Sequence, residues 1–420
     1  MNKSPFVSQG VGKHTLLSVS FLILIIALVF EGFTNYSNYV IYPIWLLWFY
    51  VLFTSTNSLS KNEHEFIRVS FAFLSLVLVY WLIGYSSMTK TIVTRTFNWI
   101  MMGVTAVCAM NIFSKRELST VYFFLTITVV ILMFAFISRG RMMVMMGEQS
   151  DAAEVASAWY GSLFMLLSGL SLIFILHVKS IIPRIVAIIV LLLTLYINFS
   201  ILQRGTNVIF TLAEIGVLFV FTLKRKGIVY FFSIVIFVLA IYIYTTGLLI
   251  DVFVWLADTV SSERIAKRFN EIATALYYED IEASSGSLAG RSNLMGISWH
   301  TFTSSIGHFV FGVGEQSGDN TIVGNHSFFI DTLARYGIIG GTMMFVYFKK
   351  QYQIIMSYLD KKTDWVLYMQ CAIVFLFYIL RNFYGQVTYA LVNLILLVFF
   401  PLTFQIIQHY KTKSTNIVKI

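Results

Sequence analysis

Residues 119–138 read STVYFFLTITVVILMFAFIS and carry no charge. Wound as an α-helix at about 1.5 Å per residue, such a run is about 30 Å long, the thickness of a bilayer's hydrocarbon core. Runs of the same kind recur down the chain. They are continuous rather than alternating, which excludes the strand pattern of a transmembrane barrel. Only 12% of the 420 residues are charged, against about 25% in a soluble domain. A chain this long and this poor in charge cannot clothe itself for water.

The fold class that follows is an all-α polytopic membrane protein of about 12 transmembrane helices. The apolar runs predict spans at roughly 16–30, 39–54, 66–84, 91–110, 119–138, 157–177, 185–202, 206–223, 228–248, 326–348, 364–381 and 387–408. Residues 1–248 then hold spans one to nine, 249–325 one large extracytoplasmic loop, 326–408 spans ten to twelve, and 409–420 a cytoplasmic tail. With the N-terminus inside, 18 of the 29 Lys and Arg fall on the cytoplasmic side, as the positive-inside rule requires. Both termini are expected in the cytoplasm. Most of the net charge of +9 is thereby a topology signal and not a nucleic-acid surface. The outer cations are nearly all Arg, the residue suited to bidentate recognition of phosphate or carboxylate, which points to an external anionic ligand.

The large loop is the one soluble piece of any size. Trp255 to Tyr278 predicts a single amphipathic helix, with Leu256, Val260, Phe269, Ile272 and Leu276 on its apolar stripe and Arg264, Lys267, Arg268 and Glu271 off it. A Ser/Gly-rich link, Glu279 to Gly290, follows. Arg291 is expected to open a second short helix ending near Ser305. Gly312, Gly314 and Gly318 mark turns ahead of Asn325 and His326, at the start of span ten.

Chemistry concentrates between Gly290 and Gly341, where polar residues and glycines crowd against an apolar helix. Arg204, in the tight connection between spans seven and eight, is costly near a membrane and suits an outer phosphate clamp. Arg291 beside a helix N-terminus suits an anion. His326 can take a proton from an attacking hydroxyl. Glu214, two turns into span eight, is expected to face the bundle, either pairing with Arg204 or Arg95 or standing protonated. Asp331 and Arg335, four apart, can pair on one helix face.

His300, His308, His326, Asp319 and Asp331 show no tight metal-binding pattern. There is no P-loop, no Gly-x-Ser-x-Gly elbow and no Cys/His nucleophile pattern. Cys108 and Cys371 lie inside spans and read as core residues.

Three features carry a resemblance. Gly290-Arg291 leads a short loop helix followed by Gly312-Val313-Gly314. Asn325-His326-Ser327 runs into a helix bearing Tyr336-Gly337-Ile338-Ile339-Gly340. Arg204 stands between spans ahead of the large loop. In these the chain resembles the O-antigen ligase / Wzy polymerase superfamily, membrane glycosyltransferases that use lipid-linked sugar donors. It departs from the family pattern at Met295, where Trp is frequent, and in the order Asn325-His326.

The resemblance implies an undecaprenyl-diphosphate-linked glycan as donor, a second such glycan as acceptor, and catalysis without metal or cofactor on the outer face of a bacterial plasma membrane. It implies His326 as base and Arg204 and Arg291 as diphosphate ligands, with Glu214, Asn325, Asp331 and Arg335 in support. Membrane lipid, a flippase and a chain-length regulator are the implied partners. A polymerase and a ligase that transfers glycan to lipid A core share this chemistry. A transporter or flippase of lipid-linked oligosaccharide is the expectation from another class, opposed by the lack of repeat symmetry between the halves.

Overall fold

Hydroxyl and carboxyl residues set where the first long helices begin. Ser60 and Glu63 form a reciprocal capping box, with the Ser60 N–H on Glu63 Oε2 at 2.6 Å and the Glu63 N–H on Ser60 Oγ at 3.4 Å. Ser114 and Glu117 repeat it at 2.7 and 3.3 Å. Each box satisfies two N–H groups that a helix start otherwise leaves orphaned. The helices therefore start at Lys61 and Lys115, about a turn ahead of the apolar runs that predict them.

The computed structural model describes residues 11–29, 37–55, 59–83, 87–146, 151–198, 205–222, 248–260, 263–277, 287–314, 322–324, 327–359, 361, 364–383 and 390–417. Among them every regular element is helical. In chain order these are α1 (Val11–Val29), α2 (Ser37–Ser55), α3 (Lys61–Ile83), α4 (Ser87–Ile112), α5 (Lys115–Met146), α6 (Asp151–His177), α7 (Ile181–Tyr196) and α8 (Gly205–Thr222). Then come α9 (Leu248–Thr259), α10 (Glu263–Tyr277), α11 (Ser287–Thr303), α12 (Ile306–Phe311), α13 (Phe328–Met356) and α14 (Trp365–Phe383). The last segment is α15 (Ala390–Leu394), a π-helical turn (Ile395–Phe399) and α16 (Phe400–Ile417).

Among the described residues, five stretches are long and apolar enough to cross a membrane: Lys61–Ile83, Lys115–Ala135, Tyr160–His177, Trp365–Phe383 and Ala390–Tyr410. Shorter apolar helices occupy Thr15–Leu28, Val40–Thr54, Ile181–Tyr196 and Asn207–Thr222. The expected ninth span, 228–248, lies almost wholly outside the described residues.

Trp48, Trp99, Tyr347, Tyr378, Phe400 and Phe404 are buried inside the bundle, while Leu46, Phe53, Leu82, Ile182, Leu192 and Phe345 stand exposed on its outside. Apolar side chains on both the inside and the outside of a helical bundle are what a lipid solvent calls for.

Two expectations about the loop are corrected. The single amphipathic helix is two, α9 and α10, broken after Thr259. Ser261 and Ser262 precede Glu263, and serine hydroxyls compete with the backbone, favouring a helix start over a helix interior. The two helices fold onto one another through Ala257 and Phe269, with Phe253, Leu256 and Ala266 around them. Glu271, expected off the apolar stripe, is buried. The second helix, α11, begins at Ser287, so Arg291 falls in its second turn and not at its N-terminus.

Glycines let α6 and α8 approach closely. A Cβ on Gly161 would strike the Asn207 amide, and one on Gly169 would strike the Glu214 carboxyl. Elsewhere Asn393 ties three helices: its Oδ1 accepts from Gln351 Nε2 at 2.7 Å, and its Nδ2 donates to Tyr347 Oη at 2.8 Å and to the Trp99 carbonyl.

Candidate functional site

The two glycine motifs, well apart in sequence, meet. Gly337 has φ 62° and ψ −163°, so α13 is two helices joined at a kink and not the continuous span ten expected. The break frees the carbonyls of Ala334 and Arg335 from their usual i+4 partners. The Val313 N–H donates to the first at 2.9 Å and the Gly314 N–H to the second at 2.8 Å. Gly312 (φ 75°) ends α12 and presses against the Arg335 carbonyl so closely that a Cβ would overlap it. Tyr80 of α3 packs edge-on against Tyr336 at 5.6 Å and donates its hydroxyl to the Phe311 carbonyl. A broken stretch of buried backbone persists where other groups satisfy it, and here the Val313 and Gly314 N–H groups do.

The entrance to α13 is clasped to α11. Asp331, Ser298 and Ser327 are all 0% exposed. Asp331 Oδ1 accepts from Ser298 Oγ at 2.6 Å, and Oδ2 accepts from the Ser327 N–H at 2.9 Å. Ser298 Oγ in turn accepts from the Gly324 N–H at 2.8 Å, and Thr301 Oγ1 donates to the Ile322 carbonyl at 2.6 Å. Gly324 sits so close to the Leu294 carbonyl that a side chain there would overlap it.

Asp331 thus serves as the clasp between two helices and a loop. Asp331→Ala is expected to destabilise the protein by about 1–3 kcal/mol, since it leaves a buried hydroxyl and a buried N–H without acceptors. Thermal unfolding in detergent measures this, and an unchanged midpoint would show that the carboxylate is dispensable.

Asn325 and His326 lie outside the described residues; Gly324 and Ser327, on either side of them, are the residues the clasp holds. Arg204 also lies outside them, and so does the side chain of Arg291. Described neighbours of His326 and of Arg204 meet the same end of α14. Three residues after His326, Phe329 stacks on Phe383 of α14, with centroids 4.5 Å apart and planes 19° from parallel. Half a turn earlier on α14, Arg381 donates from Nε to Asn207 Oδ1 at 2.9 Å. Asn207 stands three residues after Arg204.

Arg381 and Asn207 are only 4% and 1% exposed. Neither stands out by motif. The signal that finds Arg381 is its place in the last turn of an apolar span, where an ionisable residue is costly and usually functional.

Glu214 faces the bundle as expected and is 0% exposed. Its carboxyl lies against Gly169 of α6. Among the described residues neither oxygen has a hydrogen-bond partner, so the expected pairing with Arg95 is not formed. Seven residues along α8 from Asn207, it stands about 10 Å down the helix from the Arg381 junction. Arg335 is buried, and its carbonyl belongs to the kink. His308 Nδ1 is within 2.7 Å of Ser304 Oγ, beside the N-terminal turn of α12. Among the described residues no three His, Cys, Asp or Glu are grouped to hold a metal ion.

No family model matches this chain, and no curated protein matches it.

Proposed function

We propose that this protein is a membrane glycosyltransferase that polymerises undecaprenyl-diphosphate-linked oligosaccharide repeat units, as in O-antigen, capsule or exopolysaccharide synthesis, on the outer face of a bacterial plasma membrane. The observation that carries this reading is the junction at the end of α14. Within one turn, Arg381 bonds the near neighbour of Arg204, and Phe383 stacks on the near neighbour of His326.

The reaction is an inverting transfer without metal. An acceptor hydroxyl attacks the anomeric carbon of the donor sugar, a new glycosidic C–O bond forms, and the bond to the diphosphate breaks. His326 takes the hydroxyl proton. The departing diphosphate gathers negative charge, which Arg204 and Arg291 offset. The lipid-linked donor is already activated, so no nucleotide is consumed. Glu214, Asn325, Asp331 and Arg335 support this site. Twelve spans, cytoplasmic termini and an outward-facing loop complete the arrangement, which works beside a flippase that delivers the units and a regulator that sets chain length.

The test is product analysis with purified protein in liposomes supplied with a lipid-linked repeat unit. A ladder of lengths on the polyprenyl lipid is the expected result. Transfer to lipid A core instead makes the protein a ligase. Movement of the glycan across the bilayer with no change in length makes it a transporter, the class whose binding sites also use broken helices like α13.

A further inference from the structure

We infer that a cleft on the outside of the bundle binds one anionic phospholipid, with an acyl chain inside the cleft and the phosphate at its basic end. The site is independent of the glycosyltransferase reading. Its basic end lies at the start of α7, away from the connection after α7 that contains Arg204. Between α5, α6, α7 and the π-helical turn is a cavity of about 370 Å³, inside the range of about 300–1,000 Å³ usual for small-ligand sites. Tyr122, Val129, Leu170, Phe174, Val190 and Phe399 line it.

Helix geometry gives the cleft its walls. A π-helical turn widens a helix and recurs at functional sites, and the one at Ile395–Phe399 ends on a wall residue. Pro401 follows it and has no N–H to return to the helix. Phe399 stacks on Tyr122, with centroids 4.7 Å apart and planes 15° from parallel. Thr403 Oγ1 donates to Tyr122 Oη at 3.3 Å. On the α7 side the lining includes Ala187, a small residue that leaves space. The cleft opens outward, since two of its lining residues, Phe123 and Val186, are 67% and 44% exposed.

Charge complementarity names the occupant. Ser119 and Pro183 line the cleft. Lys115 and Arg116 stand one turn before Ser119 on α5, Lys179 lies in the connection from α6 to α7, and Arg184 follows Pro183. All four cations are exposed. Glu117, the carboxylate at this end of α5, already accepts from the Ser114 N–H at 2.7 Å and the Ser18 hydroxyl at 3.1 Å. Ser180, the N-cap of α7, makes no side-chain capping bond among the described residues, so the first-turn N–H groups there also favour an anion. Basic clusters beside membrane helices attract anionic headgroups. A lipid with two chains fits the surface: one chain fills the cleft and the other lies along Ile182, Ile185 and Ile189, exposed on the outside of α7.

The test is native mass spectrometry of the full-length protein in detergent, titrated with dioleoyl phosphatidylglycerol and with dioleoyl phosphatidylcholine. The two probes share their chains and differ in headgroup charge. Wild type is expected to bind one phosphatidylglycerol about tenfold more tightly than phosphatidylcholine, from the attraction of two or more cations for the headgroup. Lys179→Gln combined with Arg184→Gln is expected to erase that preference and leave phosphatidylcholine binding as in wild type. Both residues are exposed, so the fold should survive. Lys349→Gln is the control: it removes an exposed cation from α13, which does not line the cleft, and it should keep the preference.

Ala187→Leu tests the cleft itself. The added side chain enters the space the acyl chain needs, and both lipids should bind about tenfold more weakly while the thermal midpoint holds or rises. Equal binding of the two lipids by wild type, or an undiminished preference in the Lys179→Gln, Arg184→Gln protein, overturns the headgroup site. Wild-type affinity for both lipids in a folded Ala187→Leu protein overturns the cleft as the place of the chain. Displacement of phosphatidylglycerol by an equal concentration of farnesyl phosphate overturns the phospholipid and makes a prenyl phosphate the occupant. None of these outcomes bears on glycosyl transfer, which the product analysis decides separately.

Discussion

Replacing His326 by alanine is expected to abolish long polymer at unchanged protein level, with turnover reduced by about 10²–10⁴-fold, the usual contribution of a positioned general base. The hydroxyl of a sugar is a poor nucleophile until it loses its proton, and an imidazole is the side chain suited to accept it near neutral pH. Asp331, the nearby carboxylate, already accepts from Ser298 and from the Ser327 N–H. The thermal midpoint should not fall with activity. Wild-type turnover should also drop as pH is lowered, because an imidazolium cannot accept a proton, and the alanine variant's residual rate should lack that limb. Single-turnover assays with the lipid-linked donor measure both. Polymer of ordinary length from the alanine variant would remove His326 as the base.

The lengths of the apolar runs made most of the described helices legible, because lipid imposes a fixed helix length and excludes charge. The starts of α3 and α5 were also written in the chain: Ser60-x-x-Glu63 and Ser114-x-x-Glu117 are capping boxes, and the apolar pattern alone begins about a turn too late. The kink in α13 was not legible. Gly337 sits in an apolar helical pattern, where an isolated glycine reads as a tolerated interior residue. What breaks the helix is a second segment, Gly312 to Gly314, whose N–H groups replace the lost i+4 bonds. That is a property of two stretches together.

The same holds at the junction. Arg381 could be noticed as an ionisable residue in a span, but its partner on α8 follows only from the packing of α6, α8 and α14, which in turn needs Gly161 and Gly169. The clasp was equally hidden. Asp331 and Arg335 have the spacing of a surface helix pair, but Asp331 is inside, and the Ser298 hydroxyl and the Ser327 N–H that reach it come from outside that pattern.

Gly337→Ala is expected to have a large structural effect for a single added methyl. At φ 62° and ψ −163° the backbone is in a region essentially reserved for glycine, and an L-residue there costs about 1–3 kcal/mol. Space is short as well, because the new Cβ would overlap the Val310 carbonyl and approach the Phe311 amide, both backbone and unable to rotate away. One relief is open to the chain. The kink can straighten, with Ala334 and Arg335 carbonyls returning to their own helix.

Straightening would release the Val313 and Gly314 N–H groups, undo the seat of Tyr80 on Phe311, and turn the first part of α13, with Ser327 and Asp331, away from α11. The variant should therefore lose thermal stability and diphosphate affinity together, although residue 337 touches no ligand. Gly216→Ala is the control, since nothing lies within 4 Å of a Cβ there; it should be neutral or stabilising by up to about 1 kcal/mol through helix propensity alone. Should Gly337→Ala match Gly216→Ala in midpoint and in binding, the interlock between the turn at 312–314 and the break at 337 would not be what holds this end of the bundle in place.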